Sequence, residues 1–498
     1  KASKSPVGQS VVLYQSALKA SSLSPSYILA MSVQLVLAAA AFALLAEILY
    51  SFVRWIRSPL RSVPGPSLAR FTDFWYFHRL KQGGFEKVNQ KLHEQYGPIV
   101  RYGPNRYSIN DAEALKTVYG HGTEFQKSEW YVSFQPNEEL WNLFSERSTK
   151  RHARNRRFYT NAYSMTSLIS YEPYVDECTA LFAQRFSEFS KGGAIIDARH
   201  WFQCYAFDTI ALMTYGKRLG FLDRGEDVAH VIDNLNQSLV YMSLAGIFPF
   251  VHTYITPILN KVVPSLSMGA KLLYVLGFTA KTIEEEKASP KPVINVKSDE
   301  YSVAVGEAFL TKFLAKHSSN ADEFTQWHLL NGCMSNMVAG SDTTGISISA
   351  ILYNLLKNPD TMVKLREELA DFTSRGELSQ SPTFKESQKM PYLQAVIKEA
   401  LRVHPAVGLP LERIVPAGGV TIAGRFFPAG FGLGSRTCIG KNVSILEISK
   451  LIPRIIRDFD FKLEGDAAAP GGTWKTHNAW FVKPQGFHVS VKSRTSSH

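Results

Sequence analysis

The chain has 498 residues, 45% of them apolar and 20% charged, with 55 basic against 43 acidic side chains and a formal charge of +12. Such a length and apolar share describe a globular protein with a large buried core and exclude a disordered or collagen-like chain. The basic residues are dispersed, without zinc-finger spacing or an aromatic RNA-binding signature, so nucleic acid is a weak reading beside an anionic membrane or an acidic protein partner.

Residues 1–57 form an N-terminal segment in which Tyr27–Ala46, "YILAMSVQLVLAAAAFALLA", carries no charge and is long enough to cross a bilayer as a helix. The run exceeds a signal-peptide core, and no small-x-small cleavage site precedes a new domain, so an uncleaved transmembrane anchor is expected at about 27–46. Lys19 is the one basic residue shortly upstream, whereas Arg54, Arg57 and Arg61 follow closely downstream; that asymmetry places the bulk of the chain in the cytosol. Residues 58–70, with Pro59, Pro64 and Pro66, read as a stiff hinge. Residues 71–498 form the main domain.

Within that domain, Phe71 to Asn110 runs from aromatic-rich helix into strand-like pieces, "GPIVRYGPNRYSIN". Ala112 to Lys357 is mostly helical in pattern, apart from a polar surface loop at Lys287–Val305, and no internal repeat is present. The fold class is mainly α with a minor β region. Phe324–Lys357 carries the longest helical signal, with Asp322 as a candidate cap and Pro359 beyond its end. Its middle, Gly340-Ser341-Asp342-Thr343-Thr344-Gly345, suits a helix interior poorly. Two readings stand for it: a kink with internally satisfied hydroxyls, or a functional opening of the helix. Pro391 starts a further helix that stops before Pro405. Glu399 and Arg402 share one face of it, and their apolar neighbours predict a buried ion pair.

Cys178, Cys204, Cys333 and Cys438 are too far apart for a disulfide framework or a four-cysteine metal site. The first three are expected to be buried small apolar residues. Cys438 differs. In "RFFPAGFGLGSRTCIGKN", a strand end leads directly into a glycine loop that delivers Cys438 to the start of a helix, where the dipole favours a thiolate. With no base at hand, metal ligation is a better guess than nucleophilic catalysis.

Phe431, Gly434, Arg436, Cys438 and Gly440 form F-x-x-G-x-R-x-C-x-G, which resembles the haem-thiolate signature of the cytochrome P-450 family. A-G-x-D-T-T from Ala339 to Thr344 and E-x-x-R at Glu399 and Arg402 are similar to two further family motifs, in the same order. The likeness covers Ser58 to Lys492, and "NMVAGSDTT" and "LPLERIVPAGGVTIAG" resemble fungal microsomal members of the pisatin-demethylase and benzoate para-hydroxylase group. The resemblance implies the cytochrome P-450 fold with an N-terminal transmembrane helix, and haem b with Cys438 as its axial thiolate and metal ligand. It implies that Asp342 and Thr343 deliver protons through water during oxygen activation. That use favours the functional reading of the polar patch. Phe431, Gly434 and Gly440 would shape the loop, and His152, Arg156, Arg413 and Arg436 would reach the haem propionates. Arg154 and Arg157 read as a solvated face or a docking site for an acidic reductase.

The implied activity is hydroxylation or O-dealkylation of a hydrophobic small molecule, with O2 and electrons from an NADPH-cytochrome P-450 reductase or a cytochrome b-type donor, at the endoplasmic reticulum membrane with the domain cytosolic. The substrate pocket is expected around Tyr107–Phe134, Leu239–Phe250 and the long helix. One departure stands against this. Arg402 and Cys438 are 36 positions apart, whereas family members usually have several tens more residues between them, so a segment is expected to be missing at about 430/431. The pair Glu399–Arg402 then lacks a third basic partner. Two alternatives follow: a non-catalytic, membrane-anchored product of a shortened gene model with impaired haem binding, or a reductase-independent haem-thiolate isomerase or dehydratase, which the intact Asp342–Thr343 pair argues against.

Overall fold

The structure, a computed structural model, describes residues 34, 38, 42, 45–120, 122–137, 139–262, 270–288, 307–429 and 438–494. They build a mainly helical body carrying five small sheets of two or three strands, as the periodicity predicts. The apolar run Tyr27–Ala46 and the polar loop Lys287–Val305 lie almost wholly outside the described residues; among those described, no helix is long and apolar enough to cross a membrane.

The body is organised around the central helix Gln326–Lys357. Thr325, not Asp322, is its N-cap: the Thr325 amide donates to His328 Nδ1 at 3.1 Å, and Asp322 lies exposed in the preceding turn. The helix runs unbroken through its polar patch and packs along Ala198–Tyr215, itself almost entirely buried. Two glycines allow this approach: a Cβ on Gly345 would lie 3.0 Å from Gln203 Cα, and one on Gly340 would lie 2.9 Å from Ile210 Cγ1. The helix-weakening glycines thus bring two helices together.

The extended segment near residue 100 folds as the antiparallel hairpin Ile99–Gly103/Arg106–Ile109. A three-stranded sheet near the C-terminus pairs His488–Ser493 with both Ile195–Asp197 and Phe459–Leu463, setting Val489 opposite Ile196 and Val491 opposite Phe461. The hinge is more than a spacer. Leu60 and Val63 are buried in a second, smaller core with Tyr107, Val118, Val415 and Phe427, and the Arg101 amide donates to Pro64 O at 2.8 Å. Residues 58–70 are therefore docked onto the domain by apolar burial.

His328 ties the cap of the central helix to an acid response. Burial, reinforced by Arg154 and Lys316, lowers its imidazole from 6.5 to about 4. The folded state thus holds His328 neutral where the unfolded chain begins to protonate it. Its contribution is complete above pH 6.5 and is lost as pH falls toward about 4. Unfolding midpoints measured across that window are expected to decline with acid, and His328→Gln should flatten part of the slope. An unchanged slope would remove His328 from the account.

Candidate active site

Of the four cysteines, Cys178, Cys204 and Cys333 are buried and Cys438 is exposed. Burial pushes the thiols of Cys178 and Cys333 well up and that of Cys204 up to about 12, so none of the three readily presents a thiolate. Cys438 stands two residues before Gly440, the N-cap of the helix Lys441–Asp458. Phe431, Gly434 and Arg436 lie outside the described residues.

The cysteine helix is held firmly. Its buried Lys450 ion-pairs with Asp176 at 3.0 Å and Glu172 at 3.4 Å and donates to Pro382 O at 3.0 Å. Near its start, Asn442 Nδ2 donates to Tyr163 O at 3.2 Å, and Ser444 Oγ lies 2.9 Å from Thr344 Oγ1. The last bond joins the helix after Cys438 to the polar patch of the central helix.

In that patch Ser341 donates to Met337 O at 2.8 Å, Thr343 to Ala339 O at 2.7 Å and Ser347 to Thr343 O at 2.8 Å. These hydroxyls are satisfied within the helix, as the bland reading supposes, yet Thr343 is only half-buried and its lone pairs can still accept. Asp342 is buried, and its carboxylate is bonded by the Gln203 amide and, at 2.8 Å, by Lys483 Nζ. Lys483 also donates to Asn236. It stands on Val482–Gln485, a strand of the hairpin with Lys475–Asn478.

A cavity of about 440 Å3 lies beside this ion pair, lined by Asn236, Leu239, Val240, Trp480, Phe481 and Lys483. Leu239 belongs to a segment expected to contribute to the substrate pocket. The hairpin residues were not expected there, although "NAWFVKPQG" is an apolar, aromatic run broken by one lysine. Of the other expected pocket segment, Trp130 Nε1 donates to Ser243 O at 3.1 Å and Ser133 Oγ to Met242 O at 2.7 Å, which seats Glu129–Phe134 against the helix Val231–Ala245. Tyr107 belongs instead to the second core.

The basic residues divide. His152 is buried and Arg156 half-buried on Thr149–Thr160, whose Arg154 and Arg157 are exposed, as a solvated face requires. Arg413 is almost fully buried on the short strand Arg413–Ile414, and its guanidinium donates to Tyr131 OH at 2.8 Å and Glu412 O at 2.7 Å. These acceptors are neutral, because the Glu412 carboxylate is bonded by Arg106 and Ser128. Among the described residues Arg413 is thus a buried cation matched to dipoles and to the Tyr131 ring, 5.3 Å away at its centroid, with no carboxylate partner, an arrangement that suits an anionic group of a ligand.

Glu399 and Arg402 overturn the expectation of burial. They pair at 2.6 Å with side chains 60% and 71% exposed on the helix Pro391–Val403. The apolar neighbours Val396, Ile397 and Ala400 do face the core, but no described segment covers the charged face. Arg402→Ala is therefore expected to leave the unfolding midpoint within error of the parent; a drop typical of a broken buried pair would show that face to be covered in solution.

The sequence profile of the family described as cytochrome P-450 matches residues 64–431. The chain belongs to the cytochrome P-450 family. That match ends short of Cys438. A pisatin demethylase of Fusarium vanettenii is 34% identical over 487 residues, covering 88% of this chain and 91% of its own length. A cytochrome P-450 monooxygenase, cicH, of Emericella nidulans is 32% identical over 507 residues, covering 91% and 97%, and one of Aspergillus terreus is 30% identical, covering 85% and 94%. The second comparison spans more positions than this chain has residues, so that relative carries residues this chain lacks. Membership makes the protein an oxidoreductase of the monooxygenase type, and the cofactor the family implies is haem with a cysteine thiolate on its iron. The described residues fit such a group: one accessible thiol before a docked helix, a polar patch bonded to that helix, and a buried guanidinium facing only neutral acceptors.

Proposed function

We propose that this chain hydroxylates or O-dealkylates a hydrophobic small molecule, using O2 and electrons from a partner reductase or a cytochrome b-type donor, with Cys438 as the haem ligand. The observation that carries the reading is the bond between Thr344 and Ser444, which joins the helix behind the one exposed cysteine to the Asp342–Thr343 patch. Haem bound there would supply oxygen activation and the route by which the partner's reducing electrons reach dioxygen. Cys438 would hold it, and Arg413, His152 and Arg156 would meet its carboxylates, joined by Arg436.

The remaining work falls to the chain itself. Asp342, fixed by Lys483 and Gln203, would hold a proton-accepting carboxylate next to Thr343, and Thr343 would order water through its free lone pairs. The 440 Å3 cavity would offer an apolar substrate the walls of Leu239, Val240, Trp480 and Phe481, with polar groups such as Arg199 and His477 also in its lining. Among relatives, the name pisatin demethylase supports O-dealkylation as one outcome. An anchor at Tyr27–Ala46 with the basic residues after it would hold the domain at the cytosolic face of the endoplasmic reticulum membrane.

The second reading, a shortened product with impaired haem binding, draws on the uncovered Glu399–Arg402 face and on the profile match ending at residue 431. One spectrum separates the two. Purified protein, reduced and exposed to carbon monoxide, is expected to show the red-shifted Soret band of thiolate-ligated haem; apoprotein, or a band typical of histidine ligation, would leave the second reading standing.

A further inference from the structure

The helix at residues 45–57, the hinge and the first hairpin enclose a cavity of about 320 Å3, at the small end of the range of about 300–1,000 Å3 typical of ligand pockets. Four arginines line it, Arg54, Arg57, Arg70 and Arg101, and no acidic residue does. Among the described residues none of the four has a carboxylate within ion-pair distance. Asp73, which senses Arg54, is bonded to Arg106 at 3.0 Å.

Three N–H donors of these lining residues are shielded from solvent and have no acceptor among the described residues: Trp55 Nε1, Arg70 Nε and Arg101 Nε. Arg101 is 1% exposed. Its terminal nitrogens donate to Leu60 O at 2.6 Å and Pro104 O at 2.7 Å and its guanidinium lies 4.9 Å from the centroid of the Tyr107 ring, which fixes it without a carboxylate partner among the described residues. Burial, together with Arg70 and Arg54, pushes Arg101 below its ordinary range. A buried polar donor left unpaired is costly, and so is a cluster of like charges without a counter-ion. Four arginines around one cavity, with no carboxylate paired to them among the described residues, share a single remedy, an anion with several oxygens.

We propose that this cavity is a binding site for a phosphate group. A tetrahedral anion presents oxygens in several directions at once, which suits four arginines brought together from the helix, the hinge and the first hairpin better than a planar carboxylate does, and guanidinium groups pair with phosphate through two bonds. Arg57 is exposed at the rim, so the site is reached from solvent. The phosphate has two sources, a free anion or the headgroup of a lipid. Beside the cavity, Leu45, Ile48, Leu49, Phe52 and Ile56 expose an apolar surface on the same helix, which a lipid would also satisfy.

The test uses the whole purified chain. In one arm, inorganic phosphate is titrated against chloride at matched ionic strength and read by calorimetry. In the other, flotation is measured with phosphatidylcholine vesicles containing phosphatidic acid, with vesicles given equal charge by a fatty acid as the control. Binding in the first arm assigns free phosphate, and selective flotation in the second assigns a lipid headgroup; either supports the site. The double variant Arg54→Gln/Arg70→Gln is expected to bind at least about tenfold more weakly. Arg61→Gln, a charge change outside the cavity lining, should stay close to the parent. Should the double variant not fold, Arg54→Lys/Arg70→Lys keeps the charge, removes the fork and is expected to give an intermediate loss. The proposal is overturned if calorimetry shows no phosphate binding and flotation shows no preference for phosphatidic-acid over fatty-acid vesicles, or if Arg61→Gln weakens binding as much as the double variant.

Discussion

Cys438→Ala should abolish the thiolate-ligated haem spectrum completely while leaving the fold nearly unchanged. The two halves of that expectation come from different observations. The side chain is exposed, and surface substitutions away from special features usually stay within about 0.5 kcal/mol, so the unfolding midpoint should not move when parent and variant are compared as haem-free protein, since bound haem itself stabilises the fold. No other cysteine can stand in for it: Cys178, Cys204 and Cys333 are buried with their thiols pushed up, and a thiolate in apolar surroundings is disfavoured. The measurements are the reduced carbon-monoxide spectrum, haem content per chain, and a chemical unfolding curve of the haem-free protein. Loss of the band with an intact midpoint assigns the ligand. A retained thiolate band in the variant would refute it, and loss of both band and fold would mean that Cys438 also supports its helix.

Much of this site could be read before any coordinates. The helices around it announce themselves by period and punctuation: Pro391 opens one and Pro405 follows its end, while the chain before Pro359 keeps helical spacing for more than thirty residues. The helix after Cys438 was equally legible, because its amphipathic period is a local signal; Gly432 and Gly434 lie outside the described residues. What failed was whatever depends on a distant neighbour. The i, i+3 spacing of Glu399 and Arg402 shows that they share a face, but not whether anything packs on it; the chain between Arg402 and Cys438 is short, and the face is open. The hinge prolines showed stiffness but not docking, since Leu60 and Val63 gain their burial from Val415 and Phe427, far away in sequence. The polar patch was ambiguous alone because its hydroxyls serve both readings: they bond within the helix, and Thr344 reaches across to Ser444. The orphan donors around Arg101 arise where three separate segments meet, so no single segment's sequence shows them.

Lys483 is the strongest case of such hidden coupling, and it carries the second large expected effect. It lies 141 positions from Asp342, in a stretch that reads as hydrophobic strand, yet it supplies the cation for a carboxylate that is 2% exposed. Lys483→Met should remove that cation and leave Asp342 with only the Gln203 amide. Breaking a buried pair by deleting one partner costs about 3–5 kcal/mol, and the partial exposure of Lys483 places this case near the lower end, at about 3 kcal/mol. The penalty belongs to the stranded carboxylate rather than to the lost lysine. Converting the partner as well, in Lys483→Met/Asp342→Asn, should therefore recover most of the stability, because a neutral amide can still bond Gln203 and needs no counter-charge. Unfolding midpoints of the parent, both single variants and the double variant form the cycle that measures this. A double variant as unstable as Lys483→Met would mean that the hairpin needs the lysine for packing, through Asn236, and not for Asp342. Recovery of stability without recovery of activity would separate the carboxylate as an ion that must be balanced for the fold to hold from the proton-accepting role proposed for it beside Thr343, for which an amide would be no substitute.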